Sequence, residues 1–374
     1  MKRSCSPMLV LILFITAGGC VNTAPPPNPF RRPVSYPIGK SPSHLIASDL
    51  TQDGLLDLVS VNTEDNSLSI LIGKNDASFP DTLTRKVGKA PRWVVAGDFN
   101  EDKKTDLAVV QNSEDTVQIL INKGGALFED GPLYKVNRSP YSATAADFNG
   151  DGHLDMALVS RFDRLLVLSG KGDGTFEKGM TASPGTIPTG IIAGEFNGDS
   201  FVDLAIANNG GHKNSNIIFF WGKGDGTFKK GENGYRTGLN PIALIAEDFN
   251  QDSHPDVLVM NGLGDALSLF MGEQGEKFSK VRDFGAEGGP VSAAPADYNG
   301  DKIIDLVVAN SRSGNISYMP GKGKGKFRHP PLNIPTGAAP FFVLTKDFNA
   351  DGKMDLAVIN NEDATLSILI GKVR

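Results

Sequence analysis

From Phe30 to the end of the chain, short apolar runs rich in Val, Ile, Leu and Ala alternate with clusters of Gly, Asn, Asp and Ser. No run keeps the 3.6-residue period of an amphipathic helix, and short β-branched runs bounded by turn residues read as strands. One stretch shows the unit. Arg92 to Ala96 is an apolar strand that runs into a polar loop from Asp98 to Asp106. Leu107 to Val110 is a second strand, Val117 to Ile121 a third, and Phe128 to Val136 a fourth, more polar one. Polar turns at 111–115 and 122–125 separate them, so the unit is a four-stranded β-meander. Gly-rich turns such as Gly172 to Phe176 and Gly224 to Phe228, with a looser copy from Gly323 to Phe327, supply the positive backbone angles of tight hairpins.

The unit repeats. Its most regular part is the nine-residue loop from Asp147 to Asp155, whose copies begin at Asp49, Asp98, Asp147, Glu195, Asp248, Asp297 and Asp347. The steps between them are 49, 49, 48, 53, 49 and 50 residues. A near-constant period of this length marks stacked units, not one irregular core. Four strands repeated seven times predict an all-β, seven-bladed β-propeller over residues 30–374. Its innermost strands should be apolar because neighbouring blades cover both faces, and its outer strands mixed. The last unit ends at Arg374 without a fourth strand, while Phe30 to Gly39 has the spacing of the outer strand from Phe79 to Gly88. The N-terminal segment is therefore expected to complete the seventh blade and remove the open edge.

Each loop carries carboxylates at positions 1, 5 and 9 and Asn or Thr at position 3, which is oxygen-donor spacing for a hard cation, calcium above all. The sets are Asp49, Thr51, Asp53 and Asp57; Asp98, Asn100, Asp102 and Asp106; Asp147, Asn149, Asp151 and Asp155; Glu195, Asn197, Asp199 and Asp203. The last three blades hold Asp248, Asn250, Asp252 and Asp256; Asp297, Asn299, Asp301 and Asp305; Asp347, Asn349, Asp351 and Asp355. Three carboxylates packed this closely repel one another unless a cation or protons intervene. Position 6 should turn sharply, which favours the glycine found only at Gly54, Gly152 and Gly352, where the other blades have Lys103, Ser200, Ser253 and Lys302. Blades 3 and 7 are the best-formed sites and blade 1 the next. The competing reading of any one loop is an Asx-type turn that binds nothing.

These loops, followed by strands such as Asp106-Leu107-Ala108-Val109 and by turns such as Gly172-Asp173-Gly174-Thr175-Phe176, resemble the FG-GAP/VCBS repeats also found in the head of integrin α subunits. The resemblance covers residues 30–374. It implies a seven-bladed propeller with several structural calcium ions in loops between first and second strands. Side-chain ligands would be Asp147, Asn149, Asp151 and Asp155, with the His153 carbonyl, and correspondingly Asp347, Asn349, Asp351, Asp355 and Lys353.

Ahead of the repeats, Lys2 and Arg3 precede an apolar run from Met8 to Ile15 and small residues before Cys20. A charged start, short apolar core and small-residue end make a secretory signal over residues 1–19. Ala17-Gly18-Gly19-Cys20 resembles a bacterial lipobox, with Ala17 where Leu is usual, and would make Cys20 the lipidated first residue. The alternative is an ordinary cleaved signal with an incidental Cys20. Residues 20–29, with prolines at 25, 26, 27 and 29, read as an extended tether. Val21, which is not the Asp that commonly retains lipoproteins at the inner membrane, points to the outer membrane or cell surface of a diderm source. The formal net charge of −6 mostly reflects the loops, since three carboxylates in each of seven account for almost half of the 43 acidic residues. No basic patch suggests nucleic acid.

Catalysis has little support. The five histidines are scattered and no Gly-x-Ser-x-Gly elbow occurs. Binding is the better reading, because propellers present loops on a rigid scaffold. With metal loops on one face, the other should carry Arg92, Trp93, Tyr141, Arg161, Phe162, Arg164, Arg312 and Phe341, together with the long turn containing His212 and Lys213. Arginines with aromatics suit a protein hot spot and aromatics suit sugars, whereas Trp93 and Phe341 could equally pack into the inner core. The expected protein is a monomeric, calcium-stabilised binding or adhesion module for a protein or glycan ligand, anchored to the membrane through Cys20. The alternatives are a carbohydrate-active enzyme of the polysaccharide lyase or hydrolase type, and an envelope assembly scaffold.

Overall fold

A computed structural model describes residues 25–372 except 212, 213 and 233; the expected signal segment and Cys20 lie outside the described residues. Seven antiparallel sheets follow one another along the chain, six of them built from consecutive strands and the last from strands of both chain ends. Blade 2 is typical, with strands Pro91–Gly97, Asp106–Gln111, Thr116–Asn122 and Phe128–Lys135. Blade 4 splits its outer strand into Phe228–Lys230 and Tyr235–Arg236, both paired with Asn216–Gly222. The ring closes as expected: Val34–Pro37 pairs with Thr365–Leu369, placing Ser35 opposite Ser367. Asn28 and Pro29, read from the sequence as tether, also dock on the chain end, where the Lys372 N–H donates to the Pro29 carbonyl at 2.7 Å.

Burial corrects one expectation. The fully buried strand is the second of each blade, for example Asp106–Gln111, and the first is only half-buried. The second strand has a neighbouring blade on both faces, whereas the first lines the central channel. The cores lie between blades. Phe99, Val110 and Ile119 of blade 2 pack with Ala143, Met156 and Leu168 of blade 3, and Phe348 and Ile359 of blade 7 pack with Leu45 and Leu58 of blade 1.

The loop motif builds this junction. Its second residue is aromatic in six blades, and each ring is buried against the Gly-rich turn of the next blade. Phe99 meets Phe176 edge-on at 5.5 Å, Phe148 meets Phe228 at 5.4 Å, and Phe348 meets Phe79 at 5.7 Å. Beside the ring, the Phe99 carbonyl accepts the Gly174 N–H at 2.7 Å and the Phe148 carbonyl accepts the Gly226 N–H at 3.0 Å. Tyr298 of blade 6 meets Phe30 at 5.2 Å. Phe30 thus stands where the other blades have their turn phenylalanine, which confirms the closure in side-chain terms.

The ninth motif residue locks each blade internally. Asp57, Asp106, Asp155, Asp203, Asp256, Asp305 and Asp355 are fully buried. In each, one carboxylate oxygen accepts the N–H of the second motif residue, and the other accepts an N–H at the end of the third strand. All fourteen bonds measure 2.7–3.2 Å. Six of the third-strand partners are glycines. A Cβ on Gly170 would lie 2.2 Å from the Leu154 carbonyl oxygen, so the strand approaches the loop only without a side chain. Burial pushes all seven carboxyls up, to about 7 for Asp256 and about 6 for Asp203, Asp305 and Asp355.

A second recurrent device starts each inner strand. Pro42, Pro91, Pro140, Pro188, Pro241, Pro290 and Pro340 all follow a residue of positive φ, among them Ala90 at 49° and Ile187 at 52°. The carbonyl of that residue accepts an N–H from the turn between second and third strands, as Ala90 does from Asn112 at 3.0 Å. Proline suits the site because it opens a strand, where no ladder donor is required.

Replacing Asp155 by Ala should therefore destabilise the propeller by about 2–4 kcal/mol, because it leaves two buried N–H groups without an acceptor. Asp151→Ala, in an exposed loop, should cost under about 1 kcal/mol. Denaturant unfolding of both variants in EDTA checks this, and equal losses would show that the clamp carries no special weight.

Candidate functional site

The first and fifth motif residues, and the third in blades 2, 3, 4, 6 and 7, turn onto the loop's own backbone, whereas the Thr51 hydroxyl and the Asn250 carbonyl oxygen are buried with no hydrogen-bond partner among the described residues. In blade 3, Asp147 accepts the Gly150 N–H at 2.7 Å and the Gly152 N–H at 2.9 Å. Asn149 accepts the Asp151 N–H at 2.9 Å, and Asp151 accepts the His153 N–H at 2.8 Å. Blade 7 repeats this, with Asp347 on Gly352 at 2.8 Å, Asn349 on Asp351 at 3.0 Å and Asp351 on Lys353 at 2.9 Å. Position 6 has positive φ in every blade, at Lys103 (66°), Ser200 (72°), Ser253 (70°) and Lys302 (66°) as at the three glycines. The sharp turn is thus common to all, and non-glycine residues adopt it under strain. Glu195 of blade 4 reaches only the N–H groups of Asn197 and Gly198.

Among the described residues no group of three or more His, Cys, Asp or Glu side chains is gathered closely enough to hold a metal ion. The donor chemistry nevertheless suits calcium. Every side chain offers oxygen, and each carboxylate oxygen that accepts one N–H keeps a further lone pair. The loops also share their charge. After burial and its backbone hydrogen bonds, Asp155 feels Asp151 and Asp147, both of which raise its carboxyl further. Neighbouring loops are tied together as well. Gln52 donates to the Lys103 carbonyl at 3.2 Å, Gln251 donates to that of Lys302 at 2.7 Å, and His153 pairs with Glu101.

Along the channel the seven inner strands present one residue each per level. At the third strand position, His44 stacks on Trp93 at 3.6 Å and meets Phe342 edge-on at 4.7 Å. Blades 3 to 6 offer only Ser142, Gly190, Ala243 and Ser292 at the same level. The mismatch leaves an apolar cavity of about 220 Å³, lined by these small residues, Trp93, Phe342, Ile192 and Ile245. Among the described residues the buried Ser142 hydroxyl has no hydrogen-bond partner.

One level nearer the face opposite the motif loops, Arg92 donates to the Tyr141 hydroxyl at 2.5 Å. Its guanidinium lies 4.5 Å from the centre of the Tyr141 ring and 5.7 Å from that of Phe341. Arg161 covers the Tyr141 ring at 4.3 Å. Burial works to raise the Tyr141 phenol, but the charges of Arg92 and Arg161 outweigh it and hold the group below its ordinary value. Thr63, Ala90, Asn112 and Ser139 complete a cavity of about 170 Å³ around the two arginines and the tyrosine.

Of the residues expected on this face, the fold gathers Arg92, Tyr141, Arg161 and Phe341. Trp93 instead turns into the channel, and Phe341 is half-buried between blades, packed on the cores of blade 7. Arg312 of blade 6 is paired with Asp265 of blade 5. Arg164 is exposed, and Phe162 lies under Arg138, whose guanidinium is 4.8 Å from the ring centre. His212 and Lys213 lie outside the described residues. His44 and Ser142 escaped the sequence reading because nothing local sets them apart. The recurrence of proline at 42, 91, 140, 188, 241, 290 and 340 would have aligned all seven inner strands and shown which residues share a level.

Fold and loops together define a seven-bladed β-propeller whose blades are joined through acidic first-to-second-strand loops. The FG-GAP-like repeat matches residues 49–109, 98–158, 147–206, 195–259, 248–308 and 297–358, each match running from one motif through the next. The chain belongs to the FG-GAP-like repeat family. A comparison with curated proteins gives no match. Among solved structures, it is similar to BBS1N in complex with ARL6DN, at 14% identity, with 92% of this chain and 97% of that one covered and a TM-score of 0.64. An Agrocybe aegerita lectin that recognises non-reducing terminal N-acetylglucosamine is 16% identical, with 79% and 80% covered and a TM-score of 0.52. A Desulfotomaculum acetoxidans protein described as functionally unknown is 11% identical, with 84% and 93% covered and a TM-score of 0.63. At these identities the likeness is one of fold.

Burial, then the Arg92 charge, lowers the His44 imidazole from 6.5 to about 3. Below about pH 6.5 the unfolded chain takes up a proton here that the folded chain refuses, so this group weakens folding as pH falls. The raised ninth-position carboxyls act in the opposite sense, since the native state holds their protons to higher pH. The test is therefore a difference. Between about pH 7 and pH 4 the wild type should lose more stability than His44→Phe. Equal losses in denaturant titrations would remove His44 from the acid response.

Proposed function

We propose that this chain is a calcium-stabilised, extracytoplasmic binding module that takes its ligand at the channel mouth opposite the motif loops. The observation that carries the reading is the convergence of Arg92, Arg161 and Tyr141 on one polar cavity. The motif face is committed to architecture, through buried carboxylates and interblade rings, whereas the mouth residues serve no strand pairing. That two of the similar folds are named for a protein partner and for a sugar is in keeping with ligand binding on such a scaffold.

In this reading calcium is held by the oxygen donors of the loops, best in blades 3 and 7, and relieves the repulsion among their carboxylates. Cys20 carries the lipid that anchors the module to the envelope, and the reading is of binding and not of turnover. Glycan panels and crosslinking in membranes test it. A ligand retained by the wild type should be lost from Arg161→Met. A variant that keeps the ligand, or polysaccharide turnover by the wild type, would sink the proposal.

Calcium and anchor have their own tests. With calcium at a hundredfold excess over Kd, each occupied site should add about 2.7 kcal/mol, seen as a fall in Tm when EDTA is added. No bound metal and no shift would leave the loops as Asx turns. Labelled palmitate should be incorporated by the wild type and not by Cys20→Ser, and an unlabelled wild type would remove the anchor.

A further inference from the structure

We infer that the cavity at the channel mouth takes a carboxylated sugar, a uronate residue, with its carboxylate held between Arg92 and Arg161. The inference rests on the binding-module reading and specifies the ligand of that site. Three features of the cavity carry it.

The first is charge. Among the described residues, neither Arg92 nor Arg161 has a carboxylate within ion-pair distance, although Arg85, Arg312 and several lysines do. Both guanidinium groups instead lie against one phenol ring, at 4.5 and 4.3 Å from its centre. Two like charges are thus held close together in a chain of net charge −6. Two nearby acids turn onto backbone groups instead: Asp115 accepts the Ser139 N–H at 2.8 Å, and Asp163 accepts the Ile187 N–H at 2.8 Å. Arg92 gives one N–H to the neutral Tyr141 hydroxyl, and the remaining donors of two planar forks, with no carboxylate of their own, match a carboxylate.

The second is the lining. Besides the arginines, the cavity is bounded by Thr63, Asn112, Ser139 and Tyr141, with Ala90 as its one aliphatic side chain. Thr63 donates to the Pro91 carbonyl at 2.9 Å, and the Asn112 amide donates to the Ser139 hydroxyl at 3.0 Å and the Pro140 carbonyl at 2.8 Å, so what the lining offers a polyhydroxylated ring is chiefly oxygen acceptors for its hydroxyls. The third is size. At about 170 Å³ the cavity admits a single pyranose ring, with further sugars of a chain running out over the face.

The backbone of the lining residues Ala90, Asn112, Ser139 and Arg161 belongs to the strand-starting turns, but the two arginine side chains stand outside that framework. Arg161 is exposed, so its loss leaves the packing intact, and Arg92 is fixed by Tyr141 and Phe341 instead of by the sheet.

Titration calorimetry on the full chain, at constant ionic strength, would compare tri-galacturonate with the neutral galactose trimer and with inorganic sulfate. Tri-galacturonate should bind and the neutral trimer should not. Arg161→Met and Arg92→Met should each weaken binding by about tenfold or more, with unchanged melting temperature for Arg161→Met. Rescue by Arg161→Lys should be partial, because a point charge replaces the fork. Equal affinity for the neutral trimer, binding of sulfate as tight as of the uronate, or unchanged affinity in both variants would overturn the proposal. If a protein ligand is lost from Arg161→Met while no uronate binds, the uronate fails and the binding face stands. If a ligand of either kind is indifferent to Arg161, both fail.

Discussion

A carboxylate with no access to water holds each blade of this protein together. The ninth residue of the loop motif sits at the bottom of the sheet and accepts one N–H from the start of its own loop and one from the end of the third strand. A buried polar group is tolerated only when its hydrogen bonds are complete, and here two backbone donors that would otherwise be orphaned complete it. The arrangement fixes where the first strand stops, where the third stops and how the loop leaves the sheet. With those three points set, the second motif residue is aimed at the neighbouring blade, and its ring and carbonyl meet the next Gly-rich turn. Blade-to-blade packing then follows from within-blade geometry, seven times over.

Such a division leaves the two ends of the ring with different freedoms. On the motif face nearly every side chain of the repeat has a structural partner, either in its own loop or in the next, as Gln52 and Gln251 do. At the other end, the residues just after the inner-strand proline satisfy no ladder and differ from blade to blade: Ser43, Arg92, Tyr141, Thr189, Ile242, Val291 and Phe341. Seven blades supply seven independent choices at one level, so the channel mouth can be composed without disturbing any sheet. The small Ser43 between blades 7 and 2 lets Arg92 reach both Tyr141 and Phe341. Function placed there exploits a rigid frame whose stability lies elsewhere.

The same logic explains the channel's asymmetry. Large aromatic groups from blades 7, 1 and 2 crowd one side, and serine, glycine and alanine from blades 3 to 6 leave the other side open. The neutral His44 belongs to this packing. Its ring is stacked like a hydrocarbon and its Nδ1 faces the Val94 N–H, an environment that penalises a proton.

The repeat period, the strands and the closure of the ring were legible in the chain because they depend on local pattern. A period-two run bounded by turns forms a strand wherever it lies, and Phe30 carries the same spacing as Phe79. The motif carboxylates were legible as a group but not in their separate roles. Spacing places Asp147, Asp151 and Asp155 in one loop, yet only the packed blade shows that Asp155 points inward to two backbone donors while Asp147 and Asp151 stay at the surface. The gathering of Arg92, Tyr141, Arg161 and Phe341 depended wholly on tertiary structure. Phe341 and Arg92 are far apart in the chain and become neighbours only when the first and last blades meet. Local sequence determines an element through the torsion and burial preferences of adjacent residues. A site drawn from several blades is decided by ring closure, which no local preference encodes.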